Sequence, residues 1–155
     1  MKLLISVISA LILFFMTGCT AKPEPTSQTL PPFPADAVEI GTSGYYCITG
    51  ESEAVDVIGS EDTQRVQVFA HQVFDPQGEY IVTLTATVTG EHSPEEDTAA
   101  VTRISASLTN AAIEGVTTSE HISKNTATVV LYWNQTSICH FQYRLYPDGT
   151  LEFLS

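Results

Sequence analysis

The fold of this chain is decided by residues 81–89, which read IVTLTATVT. Apolar and hydroxyl-bearing residues alternate strictly along this stretch, and the two faces that result are Val82, Leu84, Ala86 and Val88 against Thr83, Thr85, Thr87 and Thr89. Such alternation is typical of an antiparallel β-strand that buries one face and exposes the other. Because threonine favours strands, we interpret the threonine stripe as a solvent side rather than as a flat ligand-binding face.

Similar alternation continues on the C-terminal side, at residues 104–109, 127–133 and 139–145. Turn sequences separate the strands: DPQG at 75–78 divides strands at 65–74 and 79–89, a polar loop lies at 134–137, and Asp148-Gly149 precedes a last strand at 150–154. Longer polar loops are expected at 91–97 and 119–125. Several short strands at this spacing predict a single all-β domain over residues 38–155, either an antiparallel β-sandwich or a small barrel.

Strand parity also predicts where the large aromatic side chains point. Trp133, Phe141 and Tyr143 are expected to point into the core, and Tyr132 and Tyr146 outward. The outward tyrosines would form either cross-strand pairs or a recognition patch, since tyrosine is enriched at interfaces.

The N-terminus has a different composition from the rest of the chain. Lys2 is followed by a short apolar run up to Met16, which is too short for a transmembrane span and is typical of a helical export signal over residues 1–18. Met16-Thr17-Gly18-Cys19 resembles the lipobox of bacterial lipoproteins. That resemblance implies cleavage between Gly18 and Cys19, a diacylglycerol on the Cys19 sulfur, and a lipid anchor in a membrane.

Residues 19–37 follow the predicted cleavage point and contain five of the eight prolines. A stretch of this composition is typical of a disordered, semi-extended linker. We therefore expect it to separate the domain from the outer face of the plasma membrane, or from the outer membrane if the cell has two.

Three stretches of the domain, VTLTATVTG (82–90), SKNTATVVLYW (123–133) and YRLYPDGTLE (143–152), resemble uncharacterised Gram-positive secreted and lipoprotein domains. The resemblance implies an immunoglobulin-like β-sandwich. It carries no catalytic residues with it.

The formal charge of −12 argues against nucleic-acid binding, which requires clusters of Lys and Arg. An acidic surface aids solubility and also attracts basic partners. Once Cys19 is lipidated, Cys47 and Cys139 remain, and they are expected either to form a disulfide or to stay as two buried free thiols.

The sequence predicts no catalytic residues, no metal ligands and no cofactor. Cys139 and His140 are adjacent in a strand and so point to opposite faces, and His71, His92 and His121 lack ligand spacing. We expect the histidines to be scattered over the surface, with His92 and His121 in loops.

The expected function is a non-enzymatic module at the cell envelope that binds a protein or an envelope polymer. The alternative is a small inhibitor or ligand carrier similar to lysozyme-inhibiting lipoproteins. An envelope hydrolase ranks last, because it needs a histidine held near both an acid and a nucleophile.

Overall fold

The computed structural model describes residues 33–58 and 63–155, which form strands and turns. Numbered in chain order, the strands are β1 (Val38–Glu39), β2 (Tyr46–Glu51), β3 (Val55–Ile58), β4 (Thr63–Phe74), β5 (Tyr80–Ser93), β6 (Thr98–Thr109), β7 (Val116–Ser123), β8 (Thr126–Trp133), β9 (Thr136–Leu145) and β10 (Leu151–Leu154). Neither described range contains a helix with the length and apolar character needed to cross a membrane.

The strands form two antiparallel sheets. In the first sheet the order is β1-β2-β4-β5-β6, and β3 pairs with the part of β4 that β2 leaves open. In the second sheet the order is β10-β9-β8-β7. Each sheet therefore follows the chain order, and the chain passes from one sheet to the other between β6 and β7.

The core lies between the two sheets. Alternate residues of β4 and β5 face alternate residues of β8 and β9. The largest fully buried apolar side chains among them are Phe69, Val73, Val82, Leu84, Val88, Val129, Leu131, Phe141, Tyr143 and Leu145. Burying each such side chain contributes about 1.5–3 kcal/mol. The predicted β-sandwich is confirmed, and the sheets formed by residues 33–58 and 63–155 do not close into a barrel.

Strand β5 lies between β4 and β6 in the first sheet and confirms the prediction made from its alternation. Its apolar residues are buried, and its threonines are half-buried on the outer face. A register shift between Thr89 and Gly90 marks a bulge where the sheets approach closely. A Cβ atom on Gly90 would contact the Leu145 side chain and would lie 2.7 Å from the Ala100 carbonyl oxygen. Glycine at this position therefore permits the close packing of the two sheets.

Two predicted loops differ from the structure, one in most of its length and one in its bounds. The 119–125 stretch is mostly strand β7, which pairs with β8 along its whole length. It shows no apolar alternation because β7 is an edge strand whose side chains are largely exposed. The 91–97 stretch is part of β5 up to Ser93, and the turn occupies only residues 94–97.

The predicted export signal, Cys19 and most of the predicted linker lie outside the described residues. The last part of the linker contacts the domain: the Phe33 ring stacks on Tyr46, with the ring centroids 3.9 Å apart. The described chain therefore begins against the first residue of β2.

Candidate functional site

Four connections meet at one end of the sandwich, which we call the loop end. They are the β1–β2 loop (40–45), the β4–β5 turn (75–79), the β6–β7 loop (110–115) and the β8–β9 turn (134–135). The connections are held to the sheets and to each other by backbone hydrogen bonds. Ala112 N–H donates to Ile81 O at 2.7 Å, and Asn134 N–H donates to Gly115 O at 3.0 Å.

The loop end contains a cleft of about 200 Å³, which we call the aromatic cleft. Tyr45, Tyr80 and Trp133 contribute its aromatic walls, and Asp75, Gln77 and Glu79 contribute its polar groups. The cleft is therefore lined by both sheets and by the β4–β5 turn. Aromatic surface combined with a few convergent polar groups is the usual composition of a binding site.

The β4–β5 turn is preorganised by the Asp75 carboxylate. Asp75 Oδ1 accepts hydrogen bonds from the Gln77 and Glu79 backbone N–H groups, both at 2.9 Å. Gly78 has a φ of 85°, a conformation that glycine adopts without strain. The exposed Glu79 side chain is thus presented from a defined backbone.

Trp133 was expected to point into the core, and this prediction was wrong. The side chain shares the inner face of β8 with Leu131, but β8 extends past the end of the packed core, and Trp133 is 41% exposed. Phe141 and Tyr143 are buried as predicted, whereas Tyr132 and Tyr146 are half-buried. Alternation predicts which face a residue occupies but not where the opposing sheet ends.

The described basic side chains are unevenly distributed, whereas acidic side chains lie at both ends of the domain. The described Lys and Arg side chains lie on the half of the domain away from the loop end. They are Arg65 at the start of β4, Arg103 in the first half of β6, Lys124 in the β7–β8 turn and Arg144 at the end of β9. The loop end carries the carboxylates of Glu39, Asp75, Glu79 and Glu114. The aromatic cleft therefore lies in an acidic region.

A second cleft of about 280 Å³ lies between the β1–β2 loop and the start of β9. Its lining includes Ser137 and His140, whose Oγ and Nε2 atoms are 3.0 Å apart. This is the nucleophile–base distance that a hydrolase uses. No hydrogen bond among the described residues joins His140 to a carboxylate, so the pair lacks the orienting acid of a triad.

His71 was expected on the surface, and it is instead fully buried in the core. Its Nδ1 is hydrogen-bonded to Thr49 Oγ1 at 2.9 Å and its Nε2 to the Tyr143 hydroxyl at 2.8 Å. Burial lowers the pKa of His71 to about 4, so the ring is neutral at physiological pH. The sequence carries a signal for this position, because His71 shares its strand face with Phe69 and Val73.

The remaining histidines do not assemble into a metal site. His92 and His121 lie in β5 and β7 rather than in loops, and the His92 ring packs against the backbone of residues 147–149. Within residues 33–58 and 63–155, no three His, Cys, Asp or Glu side chains are grouped so that they could hold a metal ion.

Cys47 and Cys139 are free thiols buried between the sheets, 1% and 2% exposed. Burial raises the pKa of Cys47, against a weaker opposing effect of its hydrogen bond with Thr49. Burial, together with a smaller effect of the charge of a Cys47 thiolate, raises the pKa of Cys139 to about 12. Neither thiol is therefore a reactive nucleophile at neutral pH. The disulfide stays a prediction.

The threonine stripe of β5 is wider than the sequence indicated. Thr83, Thr85 and Thr87 pair across the strands with Thr109, Ser107 and Ser105 of β6, so hydroxyl groups cover two adjacent strands on the outer face of the first sheet. Cross-strand pairs of this type stabilise the sheet.

No family model, no curated protein and no solved structure matches this chain.

Proposed function

We propose that this chain is a lipoprotein located outside the cytoplasm, anchored in a membrane through Cys19, and that its β-sandwich is a non-enzymatic module that binds a partner macromolecule at the loop end. The observation that carries the binding part is Trp133. A tryptophan that is 41% exposed in a cleft between two sheets is uncommon in a surface that only needs to be soluble.

The aromatic cleft supports the proposal in two further ways. Its walls come from strand ends and from a turn whose backbone is fixed by Asp75, so little backbone freedom is lost when a partner binds. Tryptophan and tyrosine also supply a large share of the binding energy in protein interfaces. The loops of a sandwich end are a common location for binding residues because the sheets hold them in place.

The anchoring part of the proposal rests on the residues around Cys19 and is tested separately. Cells that express the full chain are fed an alkyne analogue of palmitate. The wild-type chain should become labelled and enter the membrane fraction, and Cys19→Ala should do neither. Equal labelling of the two chains would disprove the lipid anchor at Cys19 but would not bear on the proposal that the domain binds a partner.

The binding part is tested in intact cells with a photoreactive benzoylphenylalanine in place of Trp133. The matched control carries the same group in place of Ile122, another exposed apolar residue, which lies near the opposite end of β7. We expect a crosslinked product of defined mass from position 133 and none from position 122. If neither position gives a product, or if both give the same products, the loop end is not a binding surface.

A further inference from the structure

We infer that the aromatic cleft binds a cationic side chain, the amine of a lysine or the guanidinium of an arginine, presented by a partner protein. This inference rests on the proposed function and names the chemistry of the partner at the same site. Three features of the cleft support it: its size, its aromatic walls and the charges around it.

The cleft of about 200 Å³ is smaller than the roughly 300–1,000 Å³ typical of sites for drug-sized molecules. It has room for one inserted side chain and not for a large cofactor. Its occupant is therefore a single group projecting from a larger partner.

The aromatic walls suit a cation. Tryptophan and tyrosine attract an ammonium or guanidinium group that lies over the ring face, and tryptophan does so most strongly. Trp133, Tyr80 and Tyr45 line the same cleft, and Ile81 and Ile113 provide apolar surface for the methylene stem of a long basic side chain.

The charges favour a cation over a neutral ligand. Asp75 and Glu79 lie on the cleft wall, and the described basic side chains all lie on the other half of the domain. A neutral ligand would remove water from these carboxylates without giving them a partner, which is costly. A lysine or arginine side chain would pair with them as it loses its own water.

Trp133 is the only tryptophan of the chain, so its fluorescence reports directly on the cleft. The mature chain, residues 20–155, is titrated with the peptide acetyl-Lys-Gly-Lys-Gly-Lys-amide and with the same peptide acetylated on each lysine amine. Acetylation removes the charge and keeps the length of the side chain. We expect a saturable change in fluorescence with the first peptide and none with the second.

The variant that tests the carboxylates combines Asp75→Asn and Glu79→Gln, because asparagine keeps the oxygen that accepts the turn hydrogen bonds. The matched control combines Glu95→Gln and Glu96→Gln in the β5–β6 turn at the opposite end, which changes the net charge equally. Loss of two partly exposed ion pairs should weaken binding about tenfold in the first variant, with less than a roughly twofold effect in the control. Circular dichroism confirms that both variants fold.

Equal binding of the charged and acetylated peptides, or equal weakening by the two variants, would overturn the inference. So would a saturable response to tri-N-acetylchitotriose alone, since that neutral sugar would identify a glycan site. If the photoreactive group at position 133 still captures a partner while the lysine peptide has no effect, the inference fails and the proposed function stands. If neither experiment gives a signal, both fail.

Discussion

The buried ring of His71 makes the stability of the domain depend on pH in a range where most buried side chains do not titrate. The ordinary histidine pKa is about 6.5, and burial lowers that of His71 to about 4. Between these values the unfolded chain binds a proton at this residue and the folded chain does not. The free energy of unfolding therefore falls as the pH falls from about 6.5 to about 4. Above that range His71 is neutral in both the folded and the unfolded chain, and its full contribution to stability is present.

The size of the effect follows from the two pKa values. Their difference corresponds to about 3 kcal/mol, or about 1.4 kcal/mol for each pH unit within the range. The other titratable groups near the ring do not add to it, since burial raises the pKa values of Tyr143, Cys47 and Cys139 and keeps them neutral. A small domain is stable by about 5–15 kcal/mol, so a loss of this size is readily measured.

The assay is urea unfolding of residues 20–155, followed by circular dichroism at several pH values between 8 and 4. The matched variant is His71→Gln, which keeps a donor and an acceptor but has no proton to gain. Carboxylates contribute equally to both proteins, so the difference between their stability curves isolates the histidine. The difference should change by about 3 kcal/mol across the range, with the wild type losing more. Parallel curves would refute the argument that this ring is held neutral by burial.

Three further predictions concern packing, the sheet edge and the thiols. Gly90→Ala should lower the free energy of unfolding by about 1–3 kcal/mol in urea titrations, because the added methyl group contacts Leu145 and the backbone. An unchanged unfolding midpoint would contradict the close approach of the sheets. Glu120 accepts a hydrogen bond from a backbone N–H of β6, the edge strand of the first sheet, at 2.9 Å. Glu120→Ala should therefore expose the β6 edge and increase self-association in sedimentation velocity, with Glu120→Gln as the milder control. Cys47 and Cys139 should resist alkylation by iodoacetamide for as long as the domain stays folded. If mass spectrometry finds either sulfur alkylated under native conditions, the burial of that sulfur is contradicted.

The sequence was sufficient for the all-β class, because strand alternation reports directly on which face is buried. Strand β5 and the inward direction of Phe141 were predicted on that basis. Strand β7 was not, since an edge strand with two exposed faces has no alternation to detect. The exposure of Trp133 was missed for a related reason, because its burial depends on the length of the opposing sheet, which is set by strands far away in the sequence.

The aromatic cleft could not be predicted from the sequence at all. Tyr45, Tyr80, Ile113 and Trp133 lie in or directly beside four connections that are widely separated along the chain, and no local motif links them. Only the order of strands within the two sheets brings them to the same end. The polar environment of His71 is similar, because its two hydrogen-bond partners belong to β2 and β9, one from each sheet.

The burial of both cysteine sulfur atoms has a consequence for the order of oxidation and folding. An oxidant acts on an accessible thiolate, and the folded sandwich offers it neither access nor a thiolate. A bond between Cys47 and Cys139 therefore has to form before the two sheets close over them. Cys139 lies in β9, the last strand but one, so both thiols are available to an oxidant only when nearly the whole domain is present and still unfolded. The presence of the bond in the folded protein therefore depends on whether oxidation is faster than the folding of the final strands.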